Sequence, residues 1–513
     1  MTEPLHRIYD IVERRVATTP DREAIRAGQN AWTWAQFDDR VRRAAGALLA
    51  AGIGPGDRIA TLDKNHPSCL ELTLAASLIG AANAVVNFRL SGPEIAYVIN
   101  DAQAKLVVVG SEFAALLTGL LPELPTVSQV VVLGGADDTY ESFISATAPL
   151  RDVHPAAPDD CFLQLYTSGT TGFPKGAMLT QRSVIAHTER LVPTYDMDEQ
   201  SVNVVAMPMF HVGGTSWALG GMHAGAQTII VRELVPDDLL TLIQDRSGTH
   251  LFLVPSVISI IIAKDRARQA LSSLRVLGYG GSSMPVSLMH RTLEVLDVNL
   301  YSVYGMTELS GVFCVLRPED HRDPTREYLL ASAGRPTPGN EVRVVDPATG
   351  KDVAPGAVGE FWVRSAQQMG GYWRNEKGTA ETLLPGGWLR TGDAGRVDED
   401  GYLFLEDRVK DMIISGGENI YPAEVERVVL EHPAVAEVAV IGIPHEKWGE
   451  TPRAFVVAKP GEQLDPDALI AFTRDRLAHY KCPTSVILVD ALPRNATGKI
   501  LKRELRRNDG ARV

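Results

Sequence analysis

The sequence predicts an α/β protein of several folding units. A large N-terminal domain of two layered α/β lobes carries a small β-barrel-like subdomain, and a small α+β domain follows at the C-terminus. Three observations predict this. The chain of 513 residues is too long for one hydrophobic core. Helical stripes alternate with short apolar runs through about residue 330, the rhythm of βαβ units with largely parallel strands. The texture then changes twice, near residues 331 and 411.

The first lobe covers about residues 1–155. In AQFDDRVRRAAGALLAAG, Phe37, Val41, Ala45 and Leu48 form a helical stripe that Gly52 ends. GDRIATL reads as a strand and ELTLAASLIGA as a helix; Gly92-Pro93 opens another helix, and KLVVVG and QVVVLGG are strands. Residues 142–160, rich in Pro and Ala, connect to a second α/β lobe over about 156–330. Its most apolar run, LFLVPSVISIIIA (251–263), contains Pro255, is too short to span a bilayer and reads as a buried element. From 331 to 407, Gly and Pro separate short alternating runs such as EVRVVD, GEFWVRS and GYLFLED, a β-rich pattern. Within 411–513, AEVERVVLEHPAVAEVAVIGI reads as helix, turn and strand, DALIAFTRDRLAHYK as a helix and SVILVDALP as a strand. The basic run KRELRR reads as a solvated helix end.

A net charge of −13 argues against general nucleic-acid binding and against attraction to anionic membranes. The early charges of MTEPLHRIYDIVERR do not make a secretory signal. Cys69, Cys161, Cys314 and Cys482 are spaced like neither a metal knuckle nor a disulfide framework, which fits a reducing cytoplasm. A homo-oligomer is left open.

YTSGTTGFPKG (166–176) concentrates anion-binding chemistry. Its glycines let backbone N–H groups converge on an anion, while Thr167, Ser168, Thr170 and Thr171 add hydroxyls and Lys175 adds a charge. It is not a P-loop: the lysine follows Pro174, and Gly176 stands where Ser or Thr would meet magnesium. QVVVLGGADD likewise lacks the GxGxxG spacing of a dinucleotide fold. By itself the stretch is compatible with a phosphate site or a plain surface loop.

Seven segments, in order, decide between these: YTSGTTGFPKG, PMFHVGG (208–214), YGGSSMP (279–285), YGMTE (304–308), GWLRTGD (387–393), DRVKDMIISGGENIYPAEVE (407–426) and PRNATGKI (493–500). Together they resemble the adenylate-forming superfamily, and within it the acyl-CoA synthetases and fatty-acid–CoA ligases. The resemblance implies an AMP-forming acid–thiol ligase using ATP, Mg2+ and coenzyme A. A carboxylate attacks the α-phosphorus of ATP to give an acyl-adenylate and pyrophosphate, and a thiol then displaces AMP. It also implies a domain plan of 1–407, a hinge at 408–410 and a mobile C-terminal domain at 411–513.

Residue roles follow from the same resemblance. Thr167, Ser168, Gly169, Thr170, Thr171, Gly172 and Lys175 would hold the β- and γ-phosphates. Glu308 would bind magnesium and Thr307 the α-phosphate. Gly280, Gly281, Ser282, Tyr304, Gly305 and Met306 would border the adenine, and Asp393 and Arg408 the ribose. Lys499 would swing in to pair with the carboxylate and the α-phosphate. Rotation at Lys410 would replace it by Ser415, Gly416 and Gly417 on a thioester face, with Trp448, Lys447 and Lys481 on the coenzyme A side.

His211 would stand at the mouth of an acyl pocket walled by Val212, Gly213, Gly214 and Thr215, with Gly280 and the segment GVFCV (311–315). The small residues at 213 and 214 suggest room for a medium or long acyl chain or a ring acid. FHVGGTSW lacks the aspartate that amino-acid-activating domains use for a substrate amine. An adenylating enzyme that loads a carrier-protein thiol remains the alternative to a CoA ligase.

Overall fold

The computed structural model describes residues 4–155, 157–167, 174–408, 411–415, 418–446, 448–477, 479–494 and 500–510. The chain forms two compact units, residues 1–341 with 363–389, and 342–362 with 390–513.

Two sheets build the first unit. In the six-stranded sheet, Gln129–Leu133, Leu106–Gly110, Arg58–Leu62, Ala82–Val85 and Cys161–Thr167 run parallel, and Lys175–Thr180 closes the edge antiparallel. The nine-stranded sheet has a parallel centre of Asn299–Met306, Val276–Gly280, His250–Leu253, Val202–Val205, Gln227–Ile230 and Glu23–Ala27. The lobes interleave along the chain, because the hairpin Glu23–Ala27/Asn30–Thr33 joins the second sheet and Cys161–Thr180 the first.

Helix Trp34–Ala50 opens on Thr33 with a reciprocal capping box to Gln36 and buries Trp34, Phe37, Val41 and Leu48. It packs on Pro67–Ile79, a helix buried along its whole length. That helix contains Glu71, fully buried, and the Arg40 guanidinium and Tyr140 hydroxyl satisfy its carboxylate at 2.6 and 2.8 Å. The run 251–263 splits into the buried strand His250–Leu253 and a helix Pro255–Ile262 whose Ile260 is exposed.

Mostly within the second unit, Asn340–Val345, Gly359–Ser365, Trp388–Val397 and Leu403–Arg408 lie side by side in that order. A separate sheet follows, in the order Glu418–Ile420, Ile413–Ser415, Gly449–Ala458 and Val435–His445, with Ser485–Leu488 also paired to Gly449–Ala458. Alternation gives it two apolar faces. Val438 and Val440 pack with Val425, Val429 and Leu469 of the helices Pro422–Leu430 and Pro466–Arg474, while Ala439, Ile441 and Phe455 pack with Leu492 and Leu505. Leu505 lies in helix Lys502–Gly510, so the basic tail is docked rather than solvated. Lys502 pairs with Glu426 at 2.8 Å and Arg506 with Asp411 at 2.9 Å. One buried leucine among charges was too sparse a pattern to reveal this face.

Burial drives the pKa of His223, His250 and His321 down to about 4, and that of His187 to about 3. The unfolded chain, with His near 6.5, binds more protons between those values. Stability is full above about pH 6.5 and falls as pH drops toward about 4. Urea midpoints measured at about pH 7, 5.5 and 4.5 should decrease in that order, and His250→Gln should flatten the decline.

Candidate active site

The phosphate-loop candidate is the connection of a β-hairpin. Thr167 and Lys175 face each other across the antiparallel pair Cys161–Thr167/Lys175–Thr180. Ser168, Gly169, Thr170, Thr171 and Gly172 lie outside the described residues. A strand, not a helix, follows Lys175, so the P-loop alternative fails on geometry as well as sequence. A Cβ on Gly176 would sit 2.5 Å from Gln164 Nε2, which explains that glycine by packing.

A polar cluster anchors the hairpin. Gln164 Nε2 donates to the Tyr166 hydroxyl at 2.9 Å, and that hydroxyl donates to Asp101 at 2.7 Å. Trp373 Nε1 donates to the Asp101 carbonyl at 2.9 Å, and the Arg58 guanidinium lies 3.3 Å from the Trp373 ring centroid. Burial raises the Asp101 carboxyl above its ordinary range.

The second cluster forms where Asn299–Met306 turns back through Thr307–Leu309 into Gly311–Leu316. Glu308 is buried there and accepts a hydrogen bond from the Tyr372 hydroxyl at 2.7 Å. The Lys175 ammonium lies 4.9 Å from the centroid of the same ring. The structure thus joins two predicted residues through an unpredicted third, 64 residues from Glu308. Gln367, also unpredicted, is fully buried and donates to the carbonyls of Leu309 and Val312 at 3.2 and 3.0 Å. His187 Nε2 accepts from the Val312 N–H at 3.1 Å, so this neutral ring carries its hydrogen on Nδ1.

Tyr304 is half-buried, its ring centroid 4.7 Å from that of Phe313; Met306 and Thr307 are also half-buried and Gly305 is exposed. Gly280 ends the neighbouring parallel strand opposite Val303, and a Cβ there would lie 2.5 Å from Val303 Cγ2. Gly281 has φ +80°, and Ser282 is exposed beside it. These groups gather at the C-terminal ends of parallel strands, the end at which open α/β sheets bind ligands.

His211 precedes helix Val212–Ala224. Burial, with Arg89 nearby, lowers its pKa to about 4, so the ring is neutral at pH 7. Asn65 fixes the approach by accepting from Met209 N–H at 2.8 Å and donating to the Met207 carbonyl at 2.9 Å. Thr215 is buried and donates to the Met209 carbonyl. The room inferred at 213 and 214 is already taken. A Cβ on Gly213 would lie 3.1 Å from the Phe252 ring, and one on Gly214 would lie 2.3 Å from the Pro208 carbonyl oxygen. A Cβ on Gly278 would meet the other edge of the Phe252 ring, also at 3.1 Å. An aromatic wall replaces the expected gap, because Phe252 is remote in sequence and reaches these glycines only through the sheet.

In the second unit, Asp393 is buried and is the backbone partner of Arg408 across two antiparallel strands. Glu360 steadies the preceding turn, accepting from Gly392 N–H at 3.2 Å while pairing with Arg390 at 2.8 Å. Ser415 is buried and Trp448 is 46% exposed. Lys481 is not a loose cation: Glu424 holds its ammonium at 2.7 and 2.8 Å. Lys410, Gly416, Gly417, Lys447 and Lys499 lie outside the described residues.

Comparison with known proteins agrees with this geometry. The AMP-binding enzyme family matches residues 12–373, and the AMP-binding enzyme C-terminal domain matches 424–499. A feruloyl-CoA synthase from Amycolatopsis sp is 39% identical, over 97% of this chain and 98% of that protein. A fatty acid–[acyl-carrier-protein] ligase from Streptomyces coeruleorubidus is 38% identical, over 92% of this chain and 91% of its own length. The crystal structure of ATP-bound MatB from Rhodopseudomonas palustris superposes with a TM-score of 0.89 at 28% identity, covering 98% of each chain. The hairpin, the strand-end cluster and these matches over nearly the whole length lead to one conclusion: the chain belongs to the AMP-binding enzyme family, among the AMP-forming acid–thiol ligases of the adenylate-forming superfamily.

Proposed function

We propose that the protein is an ATP-dependent acid–CoA ligase. The observation that carries this reading is the gathering of Lys175 and Glu308 on Tyr372 beside the hairpin, a cation on its ring and a carboxylate on its hydroxyl. The first half-reaction brings two anions together, so the task of the protein is alignment and charge neutralisation. Lys175 and the hairpin hydroxyls, Thr167 among them, grip the phosphates that leave as pyrophosphate. Thr307 hydrogen-bonds the α-phosphate, Tyr304 and the Gly280–Ser282 turn border the adenine, and Asp393 and Arg408 hold the ribose.

Glu308 fits magnesium. Among the described residues no cluster of three or more His, Cys, Asp or Glu could hold a metal. A single buried carboxylate suits a cation that arrives with phosphate oxygens and keeps its waters. Bound there, magnesium would neutralise charge on the phosphates.

Lys499 arrives for adenylation, and rotation about Lys410 brings the 415–417 face for thioester formation. The acid is a medium- or long-chain fatty acid or a ring acid. Phe252, flanked by Gly213 and Gly278, offers a flat apolar wall to either, and neutral His211 adds no charge. The related carrier-protein ligase supports a second reading, in which the acceptor thiol sits on a carrier protein. A cytoplasmic setting suits Cys69, Cys161, Cys314 and Cys482, all free thiols.

Lys499→Ala should lower adenylate formation about 10²–10³-fold and leave thioester formation from preformed acyl-adenylate near wild type. Pyrophosphate release and acyl transfer, assayed separately, check this; equal loss of both sinks the two-pose scheme. Lys410→Pro should do the reverse, sparing adenylation. A panel of fatty and aromatic acids with ATP and magnesium, given CoA or a carrier protein, should yield AMP and acyl-CoA with CoA. Turnover with carrier protein alone would favour the second reading.

A further inference from the structure

The segment 370–373, GGYW, has no assigned role, yet its backbone is fastened to the strand that bears Lys175. Met178 N–H donates to the Gly371 carbonyl at 2.9 Å and Trp373 N–H to the Gly176 carbonyl at 2.8 Å, with Tyr372 bridged to Ala177. Gly371 has φ +122°, and a Cβ there would lie 2.8 Å from Thr379 Cγ2, so only glycine fits the turn. Thr379 Oγ1 then accepts from Tyr372 N–H at 2.9 Å. These constraints aim the Tyr372 side chain. It is 8% exposed, its hydroxyl meets Glu308, and the ring carries Lys175.

An ammonium and a carboxylate gathered on one side chain in a partly desolvated place attract each other strongly. A direct Lys175–Glu308 bond would consume a phosphate donor and a metal acceptor together. Tyrosine answers both needs without a charge of its own. Its neutral O–H satisfies one carboxylate oxygen, and its ring face attracts the cation.

We propose that Tyr372 is a positioning residue that keeps Lys175 and Glu308 from pairing with each other, so that both stay available to the phosphates and their metal. This inference rests on the ligase reading of the same site. It assigns Tyr372 to the adenylation half-reaction alone, since acyl transfer to a thiol involves no pyrophosphate.

The test is calorimetric ATP binding by the full chain, without acid, at stepped magnesium concentrations. Tyr372→Phe keeps the ring and loses the hydroxyl. It should weaken magnesium-dependent ATP binding about tenfold, the size of one hydrogen bond to a charged group, and raise the magnesium needed for half-maximal binding. Its magnesium-free ATP binding should match wild type. Tyr372→Leu, which also loses the ring, should weaken binding with and without magnesium. Both variants should convert preformed acyl-adenylate to thioester within about twofold of wild type. A Phe variant with wild-type magnesium dependence would overturn this inference alone. So would a loss of thioester formation that tracks melting temperature, the mark of a packing residue. A wild-type chain that binds no nucleotide would overturn the ligase reading and this inference with it.

Discussion

One buried amide ties together the candidate-site segments of the first unit. Gln367 has no solvent exposure, and its Nε2 donates to the carbonyls of Leu309 and Val312. Its Oε1 accepts from Asn340 at 3.1 Å, and its own carbonyl accepts from Ser310 Oγ at 2.9 Å. The turn bearing Glu308 is thereby tied to the segment that leads to Tyr372. That segment is tied in turn to the strand of Lys175 through Gly176 and Met178. Three stretches distant in sequence are thus fastened together, as a preorganised site requires.

The electrostatics of this region differ from those of the whole molecule. The chain is acidic, at −13, and around the hairpin the carboxyls of Asp101 and Glu308 stand in one region with Lys175 and Arg58. Burial raises the Asp101 carboxyl, and burial keeps His187 and His211 neutral at pH 7. Two cations there, Lys175 and Arg58, rest on aromatic faces.

The second unit is built on a different plan. Its sheet is apolar on both faces, so each face needs a cover. Pro422–Leu430 and Pro466–Arg474 supply one, and Lys502–Gly510 contributes to the other. The ion pairs of Lys502 and Arg506 fix that last helix, and Glu424 holds Lys481. Lys502 and Arg506, which a linear reading takes as a solvated helix end, are therefore structural here.

Much was legible in the linear chain. Short apolar runs located the buried strands Arg58–Leu62 and Leu106–Gly110, and a 3.6-residue period located the helix Trp34–Ala50. Ordered motifs marked Lys175, Glu308 and Asp393 as candidate site residues. The sequence by itself thus determined the class of fold, the family and the identity of the charged groups. Tertiary structure alone decided how they are held. Tyr372, Gln367 and Phe252 carry no local signal, because each works through partners reached across the sheets. The glycines at 213 and 214 are read correctly only when Phe252 and Pro208 are seen to fill their space. Side-chain proximity between remote segments is set by packing, and packing is not written in any one stretch of the chain.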